Sequence, residues 1–320
     1  MGYNDGTMQV ISDLRSVKLD RDVALTIGSF DGVHRGHQQL LSGLIDRARS
    51  LNLLAAALTF YPHPRVFLQP DVKPRYLSTD AERARIFARL GLDLLLLLAF
   101  DRRVAESPAD EFVRMLHRRL HMRELWVGPD FRLGKDREAG LPQLHALADE
   151  LGFRVHTVQP IYDNGEPISS TRIRRLLDKG DVARAATLLG RYYSLSGIVL
   201  QGARRGRKLG FRTANLRVRS GRAVPADGVY AVRVQVDETW HHGVANVGRR
   251  PSFDLGERLL EAHLIGFDGD LYGRHVCVAF VERLRGEERF DDTVELKRQI
   301  TRDIARALEI LGSQVPMEQQ

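Results

Sequence analysis

Apolar and polar positions follow one another in two different rhythms along this chain. In the first part, short apolar runs separate segments with helical spacing: VALTIG, a helix after Gly36, LAAALTF, a helix from about Asp80, LDLLLLLAF, another from about Ala109, then ELWVG. Strands alternating with helices predict a parallel sheet covered by helices, an α/β domain. After Gly36, Leu40, Leu41, Leu44, Ile45 and Ala48 fall on one stripe, while Gln38, Gln39, Asp46 and Arg47 fall elsewhere, so one helix face is expected to be buried. Beyond FRVHTV comes a polar turn, YDNGEP, and then SSTRIRRLL, where Ser169 or Ser170 caps a helix with Ile173, Leu176 and Leu177 on its inner side. A second short helix, DVARAATLLG, follows.

From Tyr193 the texture changes to strands set apart by Gly and Pro: GVYAVRVQV, GVANVG, LLEAHLIGF and HVCVAFVERL. This half reads as antiparallel β, closed by an amphipathic helix over about 291–311. The change of rhythm divides the chain into expected domains 7–188 and 189–313, with loose tails at 1–6 and 314–320.

Composition narrows the setting. A chain of 320 residues with 43% hydrophobic content has enough material for two cores. Cys277 is the single cysteine, which leaves no disulfide partner and suits a reducing compartment, so the cytoplasm is expected. The longest apolar run, LLLLLAF at 94–100, is too short to cross a bilayer, and the polar start lacks a signal-peptide core; no membrane partner is expected. The net charge of +7 suits nucleic acid or polyanionic phosphates. Its basic clusters, RRVAES, HRRLHMR and RRGRK, are scattered and carry no interleaved stacking aromatics, which disfavours nucleic acid. Association into a homo-oligomer stays open.

The chemistry concentrates in GSFDGVHRGH, 28–37, which passes from a strand to a helix. Ligands of α/β sheets bind at the carboxyl ends of strands; glycines there let backbone N–H groups approach an anion, and the following helix adds the positive end of its dipole. His34 and His37 supply side-chain donors. Two histidines three apart could instead bind a metal, although no third ligand of matching spacing lies nearby, or be ordinary loop residues. The surrounding strand, turn and helix favour a phosphate. A second small, basic loop, GARRGRKLGFRTANL at 202–216, reads as an anion site or a solvated hairpin. In LLEAHLIGF, period-two spacing puts Leu259, Glu261 and His263 on one strand face.

HRGH matches the HxGH signature of the nucleotidyltransferase superfamily, and GSFDGVHRGHQQLL resembles the opening of the prokaryotic bifunctional riboflavin kinase and FAD synthetase family. TFYPHPRVFL, FDRRVAESPADEFV, VGPDFRLG and ISSTRIR resemble the same family in order. In the second half, 202–216 resembles its kinase signature GxxxGRxLGFPTAN, and PADGVYAV, GVANVGRRPSF, LLEAHLIGFDGDLYG and RLRGEERFDDTVELKRQITRD also match, so the resemblance spans nearly the whole chain. It implies an α/β Rossmann-like nucleotidyltransferase domain followed by a Greek-key antiparallel β-barrel of six strands, the riboflavin kinase domain, with a C-terminal helix.

The implied activities are phosphorylation of riboflavin to FMN with ATP and adenylylation of FMN to FAD with release of pyrophosphate. The implied partners are riboflavin, FMN and ATP, with Mg²⁺ as cofactor. By the same resemblance His34 and His37 hold the ATP phosphates and stabilise the transition state, within a nucleotide-binding turn of Gly28, Ser29, Phe30, Asp31, Gly32 and Gly36. Ser169, Ser170, Thr171 and Arg174 add phosphate contacts, Asp130 and the strand end at Gly128 lie near the adenine or ribose, and Pro62, His63 and Pro64 line the flavin side. In the kinase half Gly202, Gly206 and Arg207 bind nucleotide, Thr213 and Asn215 hold Mg²⁺, and Glu261 is the base.

Two positions depart from the family pattern: Ser29 stands where it has asparagine, and Arg212 where it has the proline of PTAN. Serine lacks the second donor of an amide, and arginine restores an N–H and loosens the loop before Thr213. These departures keep open an FMN adenylyltransferase with an impaired kinase half, and the basic charge suggests a further alternative, a non-catalytic flavin- or RNA-binding regulator. The intact His34, His37, Thr213, Asn215 and Glu261 argue against the latter.

Overall fold

The computed structural model describes residues 8–200, 211, 213–249, 258–288 and 290–313. Its strands are β1 (Gln9–Ile11), β2 (Val23–Ile27), β3 (Leu54–Tyr61), β4 (Leu94–Ala99), β5 (Met122–Val127), β6 (Arg154–Thr157), β7 (Tyr162–Asp163), β8 (Glu166–Pro167), β9 (Tyr193–Leu200), β10 (Ala214–Val218), β11 (Gly228–Val236), β12 (Thr239–Arg249), β13 (Arg258–Leu264) and β14 (His275–Arg285). The α-helices are α1 (Arg35–Ser50), α2 (Pro64–Leu68), α3 (Asp80–Leu90), α4 (Arg102–Glu106), α5 (Ala109–Leu120), α6 (Leu141–Leu151), α7 (Ser170–Lys179), α8 (Val182–Leu189) and α9 (Thr293–Ser313).

Strands β1 to β6 form one sheet in the order β1-β4-β3-β2-β5-β6, and every pairing in it is parallel. All five residues of β2 are buried, because helices cover both faces of a central parallel strand. Alternate strand positions feed the two faces: Leu25, Leu58, Leu96 and Leu125 pack with Phe112, Leu116 and Leu144 of α5 and α6. On the other face Ala24, Ala55, Ala57 and Leu95 meet Leu41, Leu44 and Ile45 of α1 and Phe87 of α3. The stripe expected on α1 is buried as spacing predicts. Strand β1 escaped that reading: three residues at a sheet edge carry too little periodicity. From β2 the chain builds outward to β3 and β4, then returns to place β5 on the other side of β2, which makes a topological switch point between β2 and β5.

Packing divides the chain between Ser169 and Ser170. Helices α7 and α8, expected with the first domain, therefore pack in the second unit, where Ala186 of α8 joins a cluster with Tyr192, Ala231 and Ala279. The rest of that unit is a closed barrel of six strands ordered β10-β13-β12-β11-β14-β9, antiparallel at every seam. Strands β11, β12 and β13 form a meander, and β14 returns beside β11, which is the Greek-key order that the resemblance implied. The terminal helix α9 docks through Ala307, Ile310 and Leu311. Arg285 of β14 ties down the same helix through a 2.9 Å ion pair with the buried Asp303.

Candidate active sites

The first site grows from the end of β2. Gly28 N–H donates to the Leu58 carbonyl at 3.0 Å, and the chain then turns through positive φ at Phe30 (47°), Gly32 (80°) and Val33 (40°). Two non-glycine residues in that region strain the backbone, so the turn needs external support. It comes from the segment before α3: the buried Asp31 carboxylate accepts from Leu77 N–H at 2.9 Å and Ser78 N–H at 3.1 Å, and Gly32 N–H donates to Ser78 Oγ at 2.9 Å. Thr59 Oγ1 donates to the Ser29 carbonyl at 3.2 Å. Asp31, grouped with the nucleotide contacts by resemblance, thus braces the turn. Thr79 and Glu82 close a reciprocal capping box that fixes the start of α3.

The braced turn delivers His34 as the cap of α1. His34 is 6% exposed, and its Nδ1 accepts from His37 N–H at 3.4 Å. An accepting Nδ1 leaves the proton on Nε2 of the neutral ring, so His34 offers an Nε2–H donor. The His34 and His37 rings stack at 3.7 Å and 17°. Phe30 meets His37 edge-on at 5.2 Å, and Phe87 of α3 meets Phe30 at 5.6 Å. Gly36 permits this packing, since a Cβ there would lie 3.3 Å from two atoms of the His34 ring. Burial above all, then His34 and Arg83, holds the His37 imidazole well below its ordinary pKa, so it is neutral at neutral pH. Among the described residues no cluster of three His, Cys, Asp or Glu side chains that could hold a metal ion forms.

Neighbouring strand ends complete this surface. Beyond β5, which pairs with β2, Phe131 N–H donates to the Gly128 carbonyl at 3.2 Å, leaving Asp130 exposed. A Cβ on Gly128 would meet nothing within 4 Å, so the backbone there is open to an approaching group. At the end of β3, Pro64 is the first residue of α2 and His63 Nδ1 accepts from Arg65 N–H at 3.1 Å. His63 N–H donates in turn to the Tyr76 hydroxyl at 3.3 Å, and Pro62 precedes it. Phe100 lies edge-on to Phe60 at 5.3 Å and to Phe67 at 5.5 Å, with Tyr61, Phe67 and Leu68 exposed. Periodicity does not single out Phe67, which lies in α2, or Phe100, which directly follows β4. Ser169 ends the first unit. In the second, Ser170 opens α7, Thr171 is exposed, and Arg174 lies half-buried between the buried Ile173 and Leu177.

In the barrel, register assembles the candidate residues. Asn215 of β10 pairs with Glu261 of β13, and Glu261 pairs with Asn246 of β12, so the three form one row across adjacent strands. The rows on either side, Ala214–Ala262–Ala245 and Leu216–Leu260–Val247, are buried. Leu259, Glu261 and His263 are each half-buried, as the two-residue period predicts. Phe211 approaches His263 edge-on at 5.7 Å. Asn215 is 9% exposed, and its Oδ1 is buried with no hydrogen-bond partner among the described residues. Thr213, two residues earlier, is half-buried. Asn246 had not been singled out; only the pairing of β12 with β13 brings it beside Glu261. Gly202, Gly206, Arg207 and Arg212 lie outside the described residues.

A parallel sheet with a histidine-capped helix at its switch point, joined to a closed Greek-key barrel with a polar row on one face, defines a two-module nucleotide-dependent transferase. The chain matches the FAD synthetase family over residues 16–172 and the riboflavin kinase family over 189–311. It is 40% identical over 294 residues to the bifunctional riboflavin kinase/FMN adenylyltransferase of Escherichia coli (strain K12), covering 91% of this chain and 94% of that one. With the protein of the same name from Pseudomonas fluorescens it shares 40% over 303 residues, 94% and 97% of the two chains. It belongs to the bifunctional riboflavin kinase/FMN adenylyltransferase family. A solved structure described as a macrolide-efflux protein from Streptococcus pneumoniae superposes with a TM-score of 0.87 at 31% identity, covering 94% of this chain and 98% of that one. Its description concerns transport; among the described residues here no helix is long and apolar enough to cross a membrane.

Proposed function

We propose that this chain makes FAD from riboflavin in two ATP-dependent steps, with residues 189–313 phosphorylating riboflavin to FMN and residues 7–188 adenylylating FMN with release of pyrophosphate. One observation carries the first assignment: two stacked histidines, His34 buried and His37 half-buried, at the N-terminus of α1, beside the sheet's switch point. In adenylyl transfer an FMN phosphate oxygen bonds to the α-phosphorus of ATP while the bond to the bridging oxygen breaks, and the electron pair leaves with pyrophosphate. Negative charge grows on the phosphate oxygens. The Nε2–H of His34, the ring of His37 and the first N–H groups of α1 are preorganised to meet it. Gly28, Ser29, Phe30, Gly32 and Gly36 shape the backbone that approaches the triphosphate. The resemblance assigns further phosphate contacts to Ser169, Ser170, Thr171 and Arg174, and adenosine contacts to Asp130. The exposed aromatic surface beside Pro62, His63 and Pro64 suits the flat, apolar isoalloxazine ring.

In the kinase step Glu261 takes the proton of the ribityl 5′-hydroxyl as that oxygen attacks the γ-phosphorus of ATP and ADP leaves. The row Asn215–Glu261–Asn246 supports this reading, since a base needs neighbours that hold the reacting groups within hydrogen-bond reach. Thr213 and Asn215 fit Mg²⁺, because hydroxyl and amide oxygens are hard donors and the Asn215 Oδ1 is buried and unpartnered among the described residues. When bound, the ion neutralises charge on the transferring phosphates.

Arg212 and Ser29 favour a second reading, an adenylyltransferase whose kinase half is impaired. Incubation with riboflavin and MgATP, without FMN, separates the two. Appearance of FMN and then FAD supports the full function. FAD formation only when FMN is supplied supports the second reading, and no pyrophosphate from FMN and MgATP refutes both.

A further inference from the structure

Two residues past the end of β14 stands Glu287, an exposed glutamate to which no motif assigns a role. Exposed carboxylates ordinarily extend into water. This one folds back over the barrel: a Cβ on Gly248 of β12 would collide with Glu287 Oε1 and would lie 3.6 Å from Asn246 Nδ2. The carboxylate therefore rests on bare backbone near the Asn246 amide, in a space that only glycine leaves open. Gly248 is not among the residues at positive φ, so glycine is needed there for room and not for conformation. Gly248 pairs with Leu259 and Asn246 with Glu261, so Glu287 covers the strand face that carries Glu261, one rung or about 6.6 Å along it. Arg285 fixes the chain that delivers it. Its guanidinium holds the buried Asp303 at 2.9 Å and the Gly286 carbonyl at 3.1 Å, and lies 5.7 Å from the centre of the Phe290 ring. Glu288 turns toward Arg285 at 3.9 Å, whereas Glu287 makes no ion pair among the described residues. A carboxylate held by packing keeps its acceptor sites for a ligand's donors.

We propose that Glu287 is a riboflavin-binding residue of the kinase site, whose carboxylate accepts hydrogen bonds from ribityl hydroxyls while Glu261 receives the proton of the 5′-hydroxyl. The proposal rests on the reading of Glu261 as the base. The ribityl group is a neutral chain of hydroxyl donors, and only its far end reacts. That end must be aligned with ATP, and hydrogen bonds farther along the chain supply the alignment. A carboxylate near an amide suits a polyol, because the first accepts and the second both donates and accepts. Negative charge repels phosphate, so the contact falls to the flavin alcohol and not to ATP.

The test is the steady-state kinetics of riboflavin phosphorylation in the full chain. Glu287→Ala should raise KM for riboflavin about tenfold, the effect of losing hydrogen bonds to a charged group, with KM for ATP unchanged and a smaller fall in kcat. Gly248→Ala should do the same, because its methyl group displaces the carboxylate, and in the Glu287→Ala background it should add nothing. Glu287→Gln keeps an acceptor oxygen and should fall between. Quenching of riboflavin fluorescence with MgADP present should give the same order of affinities without turnover. An unchanged KM for riboflavin in Glu287→Ala, an equal rise in both KM values, or additive effects of the two substitutions overturns the proposal. If Gly248→Ala does not fold, Glu287→Ala and Glu287→Gln decide it alone. Glu261→Gln separates the underlying reading: retained phosphorylation there removes the kinase role of the row, whereas its loss beside an unchanged Glu287→Ala removes only the role of Glu287.

Discussion

In the α/β unit the residues proposed to meet phosphate stand on a turn with two non-glycine residues at positive φ, held in place by hydrogen bonds from β3 and from the segment before α3. In the barrel they stand on regular strands, where cross-strand pairing alone aligns Asn215, Glu261 and Asn246. The first arrangement brings backbone N–H groups to an anion but makes the site depend on residues that touch no substrate. The second needs no brace beyond the ladder. Distant substitutions should therefore be felt in the adenylyltransferase half far more than in the kinase half, where damage is confined to the row itself.

The largest effect falls on that row. Glu261→Gln should lower riboflavin phosphorylation about 10²- to 10⁴-fold while leaving FMN adenylylation intact, measured by separate assays of the two steps. Retention of kinase activity would show that the row does not house the base. Next, Asp31→Ala should cost roughly 2 kcal/mol of first-unit stability by leaving the Leu77 and Ser78 N–H groups unpaired, and should cut FAD formation without changing riboflavin phosphorylation. Equal loss in both assays would break the contrast between the two sites. Thr79→Ala removes one side of the capping box and should lower first-unit stability by about 1 kcal/mol in denaturant titration, with little change in kcat. The smallest change is a gain. Arg212→Pro restores the family residue before Thr213 and should raise the initial rate of riboflavin phosphorylation modestly. An unchanged or lower rate removes the idea that Arg212 loosens this loop.

Much of the fold was readable because burial repeats over short distances. The α1 stripe and the β13 alternation each depend on neighbours within a few residues, and both stand as read. The histidine pair was legible for the same reason: strand, glycine turn and helix lie within one short segment. Residues that act from elsewhere left no such mark. Ser78 reaches Gly32 across 46 positions, and Thr59 reaches Ser29 across 30. Helices α7 and α8 continue the helical rhythm of the first half yet pack in the second unit, because rhythm reports the type of an element and not its neighbours.

By itself, then, the amino-acid order determined most of the succession of strands and helices, the location of the histidine turn and the two-module plan, since each follows from the local spacing of apolar, glycine and charged positions. Tertiary structure alone decided that β5 lies beside β2 and that Asn246 stands next to Glu261. The physical reason is that strand order, register and helix docking are set by contacts between segments far apart in the chain, and no local period encodes those contacts.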